Sequence, residues 1–140
     1  MSPEENIQVV QKAYADFGRG DIPAILAALD ENVEWTTPGG PAVPTSGIRR
    51  GKAAVGEFFR AVDETWSFDS FEPRQFLASG DRVLATGHYV ARSRKTGGTA
   101  ACDWAMVWTL RGGKATSFRE YTDTAAMVGA LSGQSARTGA

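Results

Sequence analysis

Residues 100–123, AACDWAMVWTLRGGKATSFREYTD, read as two β-strands joined at Arg111-Gly112-Gly113-Lys114. In the first strand Trp104, Met106, Trp108 and Leu110 alternate with Asp103, Ala105, Val107 and Thr109, the period of two that puts one set on each face of a sheet. In the second, Phe118, Glu120 and Thr122 alternate with Ser117, Arg119, Tyr121 and Asp123. The turn decides which faces coincide. A two-residue Gly-Gly loop pairs Arg111 with Lys114 and sets Arg119 beside the tryptophans. A three-residue loop, with Gly113 left-handed as the bulge residue, pairs Leu110 with Lys114 and gathers Trp104, Met106, Trp108, Phe118 and Glu120 on one face. A half-buried sheet is strongly selected against mixing its two faces, which favours the three-residue loop. That register sets Glu120 directly opposite Trp104, the one carboxylate on an otherwise apolar face. It is the leading candidate for a catalytic group.

The flanking sequence supplies the helices. Ser2-Pro3-Glu4-Glu5 has the form of a capping box with proline in the first turn. Ile7, Val10, Ala13, Tyr14 and Phe17 follow at helical spacing until Gly18–Gly20 ends the run. Asp21 caps a second helix with Ile22, Ile25, Leu26 and Leu29 as its stripe. Val33–Thr36 reads as a short strand, and Thr37–Arg50 as a Pro/Gly-rich loop long enough to cover something. A third helix over Lys52–Trp66 buries Val55, Phe58, Phe59 and Val62. Strands over Phe68–Ala78 and Arg82–Arg94 precede the hairpin, and Asp123 or Thr124 caps a last helix ending at Leu131. Helices first and strands afterwards predict an α+β domain: a cone-shaped, curved antiparallel β-sheet with three N-terminal helices packed on its concave face. One domain is expected over residues 1–131, with a flexible tail over 132–140.

Composition narrows the function. The 140 residues carry 15 Lys and Arg against 16 Asp and Glu, a net charge of −1. No basic patch for nucleic acid stands out. A single cysteine, Cys102, and a single histidine, His88, rule out an internal disulfide, a cysteine-based zinc site and a multi-histidine metal centre. With no signal-like segment and no apolar run of about 20 residues, neither a membrane span nor export is expected. The expectation is a cytoplasmic domain needing no metal or cofactor.

The order of elements resembles the nuclear transport factor 2-like superfamily (a cystatin-like roll), and within it the SnoaL-like and ketosteroid isomerase-related proteins. The pieces that carry the likeness are Val9-Val10-Gln11 through Gly20-Asp21, Asn32-Val33-Glu34-Trp35, Gly51-Lys52-Ala53-Ala54-Val55, and Gly113-Lys114 followed by Phe118-Arg119-Glu120-Tyr121-Thr122-Asp123. Together they span Ile7 to Leu131. Ketosteroid isomerases use a first-helix tyrosine, an aspartate base after the first strand and a protonated aspartic acid on a later strand. Aligned here, those positions fall on Ala13 (with Tyr14 one residue out of register), on Trp35, and near Met106 or Ala105. All three groups are missing, and steroid isomerisation by that mechanism is rejected. In SnoaL-like polyketide cyclases the acid/base aspartate lies on the last strand before an Asp-led helix. Anchoring on Asp123 carries that role to Glu120, one methylene longer and preceded by Arg119 instead of tryptophan.

These readings lead to three hypotheses. The first is cofactor-free acid/base chemistry of the cyclase, isomerase or lyase type on a small apolar carbonyl compound. Glu120 would move the proton, while Tyr14, Phe17, Trp35, Phe59, Tyr89, Trp104, Met106, Trp108 and Phe118 shape the ligand pocket. Tyr14 or Tyr89 would then bond an enolate oxygen. The second is the same pocket binding an apolar metabolite without turnover. The third is a dimerisation module working through the outer sheet face, where Ala105, Val107 and Thr109 form a mildly apolar strip near Asp103, Arg119, Tyr121 and His88. A homodimer through that face is expected in any case. Cys102 is expected to be a small buried filler.

Overall fold

Ser2 starts the first helix as its neighbours dictate. Its hydroxyl accepts the Glu5 amide at 3.1 Å while the Glu5 carboxylate accepts the Ser2 amide at 3.0 Å, satisfying two donors that a helix start leaves open. The computed structural model describes residues 1–135. In chain order the elements are α1 (Pro3–Gly18), α2 (Ile22–Ala27), β1 (Leu29–Thr37), β2 (Gly47–Arg50) and α3 (Lys52–Thr65). Then come β3 (Trp66–Ser79), β4 (Arg82–Ser93), β5 (Thr99–Arg111), β6 (Lys114–Thr122) and α4 (Thr124–Leu131). Asp21 and Asp123 cap α2 and α4 through side-chain bonds to the amides of Ala24 and Ala126.

The six strands form one sheet in the order β2-β1-β6-β5-β4-β3, with helices on its inner face. The α+β architecture matches the expectation; four departures from it have physical causes. Leu29 is not on the second helix but opens β1, where it pairs with Ala115. Its burial comes from the sheet. β1 lies parallel to β6, the one parallel pair in a ladder that is otherwise antiparallel. β2 emerges from the expected loop, because Gly47–Arg50 has no alternating pattern of its own and becomes a strand only by pairing with β1. Residues 132–134, placed by expectation in the tail, are hydrogen-bonded to the fold. The Gln134 amide bonds the Gly129 carbonyl, and the Thr99 amide bonds the Gln134 carbonyl, both at 2.9 Å, so the end of α4 is tied to the start of β5. Residues 136–140 of that tail lie outside the described residues.

The hairpin differs in its turn but not in its faces. Arg111 pairs with Lys114 across a two-residue loop, with Gly112 at φ +57° and Gly113 at φ +80°, the pair of left-handed residues that a primed hairpin turn requires. The ladder then slips: Leu110 pairs with Ala115 but Thr109 with Ser117. Thr116 is the extra residue of a β-bulge, and its hydroxyl bonds the Thr109 carbonyl at 3.2 Å. A bulge of one residue reverses the facing of everything beyond it. Phe118 and Glu120 therefore join Trp104, Met106 and Trp108 inside, as the face argument demands. The partner changes: Glu120 stands opposite Met106, and Thr122 opposite Trp104.

Curvature comes from β3, the long edge strand. Its register with β4 breaks between Phe68 and Ser70 and again between Pro73 and Gln75. Bulges bend and coil a strand, and a proline, having no N–H to give, fits at such a break. The bent β3–β4 ladder wraps α1, closing a cone around the aromatic core. Among the described residues, no helix is long and apolar enough to cross a membrane.

Candidate functional site

Inside the cone is a cavity of about 90 Å³. α1 contributes Tyr14 and Phe17, α3 contributes Phe59, and the sheet contributes Trp35, Tyr89, Met106, Trp108, Phe118 and Glu120. The wall is packed ring on ring. Trp35 stacks on Phe118 with centroids 3.9 Å apart and planes 16° from parallel, a contact made by the parallel β1–β6 pairing of these two residues. Trp108 meets Trp35 edge-on at 5.7 Å. Such contacts add to the burial of large apolar side chains and hold the wall rigid.

Trp104 is the exception among the expected pocket residues. It does not line the cavity. Its partner across β4 is Gly87, and a Cβ added at Gly87 would collide with the Trp104 ring and with the Glu72 carbonyl. The indole fills the space that glycine leaves, stacked behind Tyr14 at 5.5 Å and beside Phe71 at 5.4 Å. It forms a second layer that supports Tyr14. The glycine in mid-strand was the available sign, since glycine inside a strand marks close approach by another group. The lining also includes Phe58, Val62, Trp66, Phe68, Phe71 and Met127, which carry apolar periodicity but nothing in sequence to tell cavity wall from core. Thr45, from the irregular segment 38–46, reaches the cavity too, so that segment does cover something.

Besides Thr45, the polar residues Glu120, Tyr89 and Tyr14 interrupt the apolar wall. Glu120 is brought in by the bulge in β6 and lines the cavity. Tyr89, on β4 across from Cys102, donates its hydroxyl proton to Glu120 Oε2 at 3.1 Å. Burial disfavours the charged carboxylate and pushes the Glu120 pKa up to about 7, while the Tyr89 hydrogen bond opposes that rise. Tyr14 accepts the indole N–H of Trp108 at 3.1 Å and donates to the thioether of Met106 at 3.0 Å. Burial raises the pKa of both tyrosines, with the Glu120 charge acting in the same direction, so they remain protonated donors. A thioether is a weak acceptor, which leaves the Tyr14 proton available to a better one. The combination is a buried carboxyl group with a pKa near neutrality beside two tyrosine hydroxyls. It suits removal of a proton beside a carbonyl and stabilisation of the enolate.

The other candidates lie elsewhere. His88 is on the outer face with Nδ1 3.0 Å from Asp103 Oδ1, as the strand register implies, and away from the cavity. Cys102 is fully buried, and burial lifts its thiol pKa to about 11, leaving it an inert filler.

A family model described as SnoaL-like domain matches residues 10–118. A comparison with curated protein sequences finds no match. Among solved structures, an NTF2-like protein from Burkholderia xenovorans LB400 is 39% identical, with 94% of this chain and 98% of that chain covered and a TM-score of 0.85. An NTF2-like protein from Burkholderia pseudomallei K96243 is 32% identical over 94% of this chain and 98% of that one, with a TM-score of 0.84. TerC, co-crystallised with polyporic acid, is 33% identical over 91% of this chain and 98% of that one, with a TM-score of 0.83.

Proposed function

Since the chain belongs to the family of SnoaL-like domains with the NTF2-like fold, we propose that it binds a small, largely apolar carbonyl compound in the inner cavity and moves a proton on it with Glu120. The observation that carries this is the isolation of one carboxylate on an aromatic wall, bonded to Tyr89 and held near neutral pKa. Ionised Glu120 takes a proton from the carbon next to the carbonyl. The C–H electrons move into an enolate, and Tyr14, positioned by Trp108, turns its proton from the Met106 sulfur to the enolate oxygen. Protonated Glu120 then returns the proton at another carbon, an isomerisation, or the enolate carbon adds to a second carbonyl, whose oxygen takes the proton back from Glu120, an aldol cyclisation. No step needs a metal or redox cofactor. The co-crystal of TerC with polyporic acid supports an aromatic oxygenated compound as the ligand type.

The test compares wild type with Glu120→Gln on polyporic acid and a panel of small ketones and aromatic polyketides. Binding kept and turnover lost in the variant is the expected result, because the amide cannot accept the proton. Binding without turnover in both forms would favour a binding module, a reading to which the already bonded state of Tyr14 lends weight. The outer sheet face is the proposed site of a second copy. It presents half-buried Ala105 and Val107 between the exposed apolar side chains of Leu77 and Tyr121.

A further inference from the structure

The cavity around Glu120 has a neighbour. A cleft of about 760 Å³ opens between the end of α1, α3 and the start of β3, and Phe17, Phe59, Phe68 and Phe71 line both spaces. Phe17 is the centre of this partition, its ring 5.1 Å from Phe71, 5.9 Å from Phe68 and 6.1 Å from Phe59. The inner cavity is well below the ~300 Å³ at which small-molecule sites begin. A ring or a short fragment fills it. A ligand of ordinary metabolite size needs further space, and the cleft that shares these phenylalanines adjoins it.

The cleft has a different chemistry from the cavity. Its charged lining groups, among the described residues, are Arg60, Asp63 and Arg94. Arg94 is anchored to the backbone: its Nε donates to the Asp63 carbonyl at 2.6 Å, while its Nη2 lies only loosely, at 3.6 Å, from the exposed Asp63 carboxylate. Arg60 has a loose partner in Glu57 at 3.7 Å, their side chains 69% and 65% exposed. A pair of this kind is worth ~0–1 kcal/mol and exchanges readily. One guanidinium is thus free to turn toward an anion, in the fork geometry that suits a carboxylate. Gly56 gives an independent sign. It sits inside α3, one turn before Arg60, where glycine costs about 1 kcal/mol relative to alanine. Packing does not require it, since an added Cβ would meet only Leu26 Cδ1 at an ordinary 3.7 Å. Gly56 is one of the residues that line the cleft.

We propose that the cleft is the second half of the ligand site: it takes the carboxylate end of a ring-bearing acid whose apolar ring lies in the inner cavity, and Arg60 selects that end. The inference rests on the cavity reading above and adds the ligand's charge and length. It also keeps the anion out of the inner chamber, where it would face Glu120. Calorimetric titration of the full chain with 6-phenylhexanoate and with its neutral primary amide tests it. The acid should bind wild type about fivefold tighter than the amide, the effect of roughly 1 kcal/mol that a partly solvated ion pair supplies. Arg60→Ala should abolish that preference and Arg60→Glu invert it, both leaving the amide's Kd unchanged. Gly56→Leu should weaken both long probes and spare benzene, which needs the inner cavity alone. Equal binding of acid and amide by wild type, or a preference that survives Arg60→Ala, overturns the role of Arg60; amide binding retained in that outcome leaves the cavity reading intact. Failure of wild type to bind either the amide or benzene overturns both.

Discussion

A folded-state pKa of about 7 at Glu120, against a usual value of 4.5, means that the folded protein holds this proton more tightly than the unfolded chain does. Stability is therefore complete below the unfolded value, falls as pH rises toward the folded one, and is level above it. The interval corresponds to roughly 3 kcal/mol. Glu120→Gln removes the titration, so its stability relative to wild type should climb by about that amount between pH 4.5 and 7.5. Urea unfolding across this range measures it, and parallel curves for the two proteins would place the carboxylate in water. Gly87 offers a second test at this scale. Gly87→Ala drives a methyl group into the Trp104 ring and the Glu72 carbonyl, and overpacking of this kind costs ~1–3 kcal/mol. Because Trp104 backs Tyr14, the near-ultraviolet circular dichroism should change with the loss of stability. A silent substitution would mean that the indole is not seated over Gly87.

Among the elements, the β5–β6 hairpin carries the site, and its bulge is the decisive part. With Gly112-Gly113 as a two-residue turn, an unbroken ladder would aim Phe118 and Glu120 outward and Arg119 into the aromatic core. Thr116 prevents this. Deletion of Thr116 should leave the turn intact and invert β6. The protein must then either bury Arg119 or unpair the strand, at a cost of several kcal/mol. The expected result is loss of cooperative thermal unfolding together with loss of the Trp35–Phe118 stack, read by tryptophan fluorescence. A deletion variant that melts as sharply as wild type would show that the ladder tolerates either parity.

For the whole molecule, the outer face of the sheet is the proposed dimer interface. Val107→Asp would set a carboxylate in the centre of the apolar strip, beside Arg119 on β6 but facing its own copy across a twofold axis. Sedimentation at micromolar concentration should show a dimer for wild type and a monomer for the variant, with the inner cavity and its ligand binding unchanged. A wild-type monomer would withdraw the interface.

The sequence alone determined the class of fold, the hydrophobic faces of α1, α3, β5 and β6, and the presence of Glu120 among aromatics. Those properties are periodic and local: capping boxes at Ser2, a period of two in β5, a glycine pair at the turn. Tertiary structure decided which aromatic residues wall the cavity and which stand behind it, because Trp104 and Trp108 have the same periodicity and differ only in what lies across the next strand, Gly87 or Val83. It decided the partner of Glu120 through a two-residue turn and a one-residue bulge that together leave the expected pattern of faces unaltered. It also made strands of Leu29 and of Gly47–Arg50, whose backbone groups find partners only on another strand. Periodicity records which side of an element is buried; what it is buried against depends on residues far away in the chain.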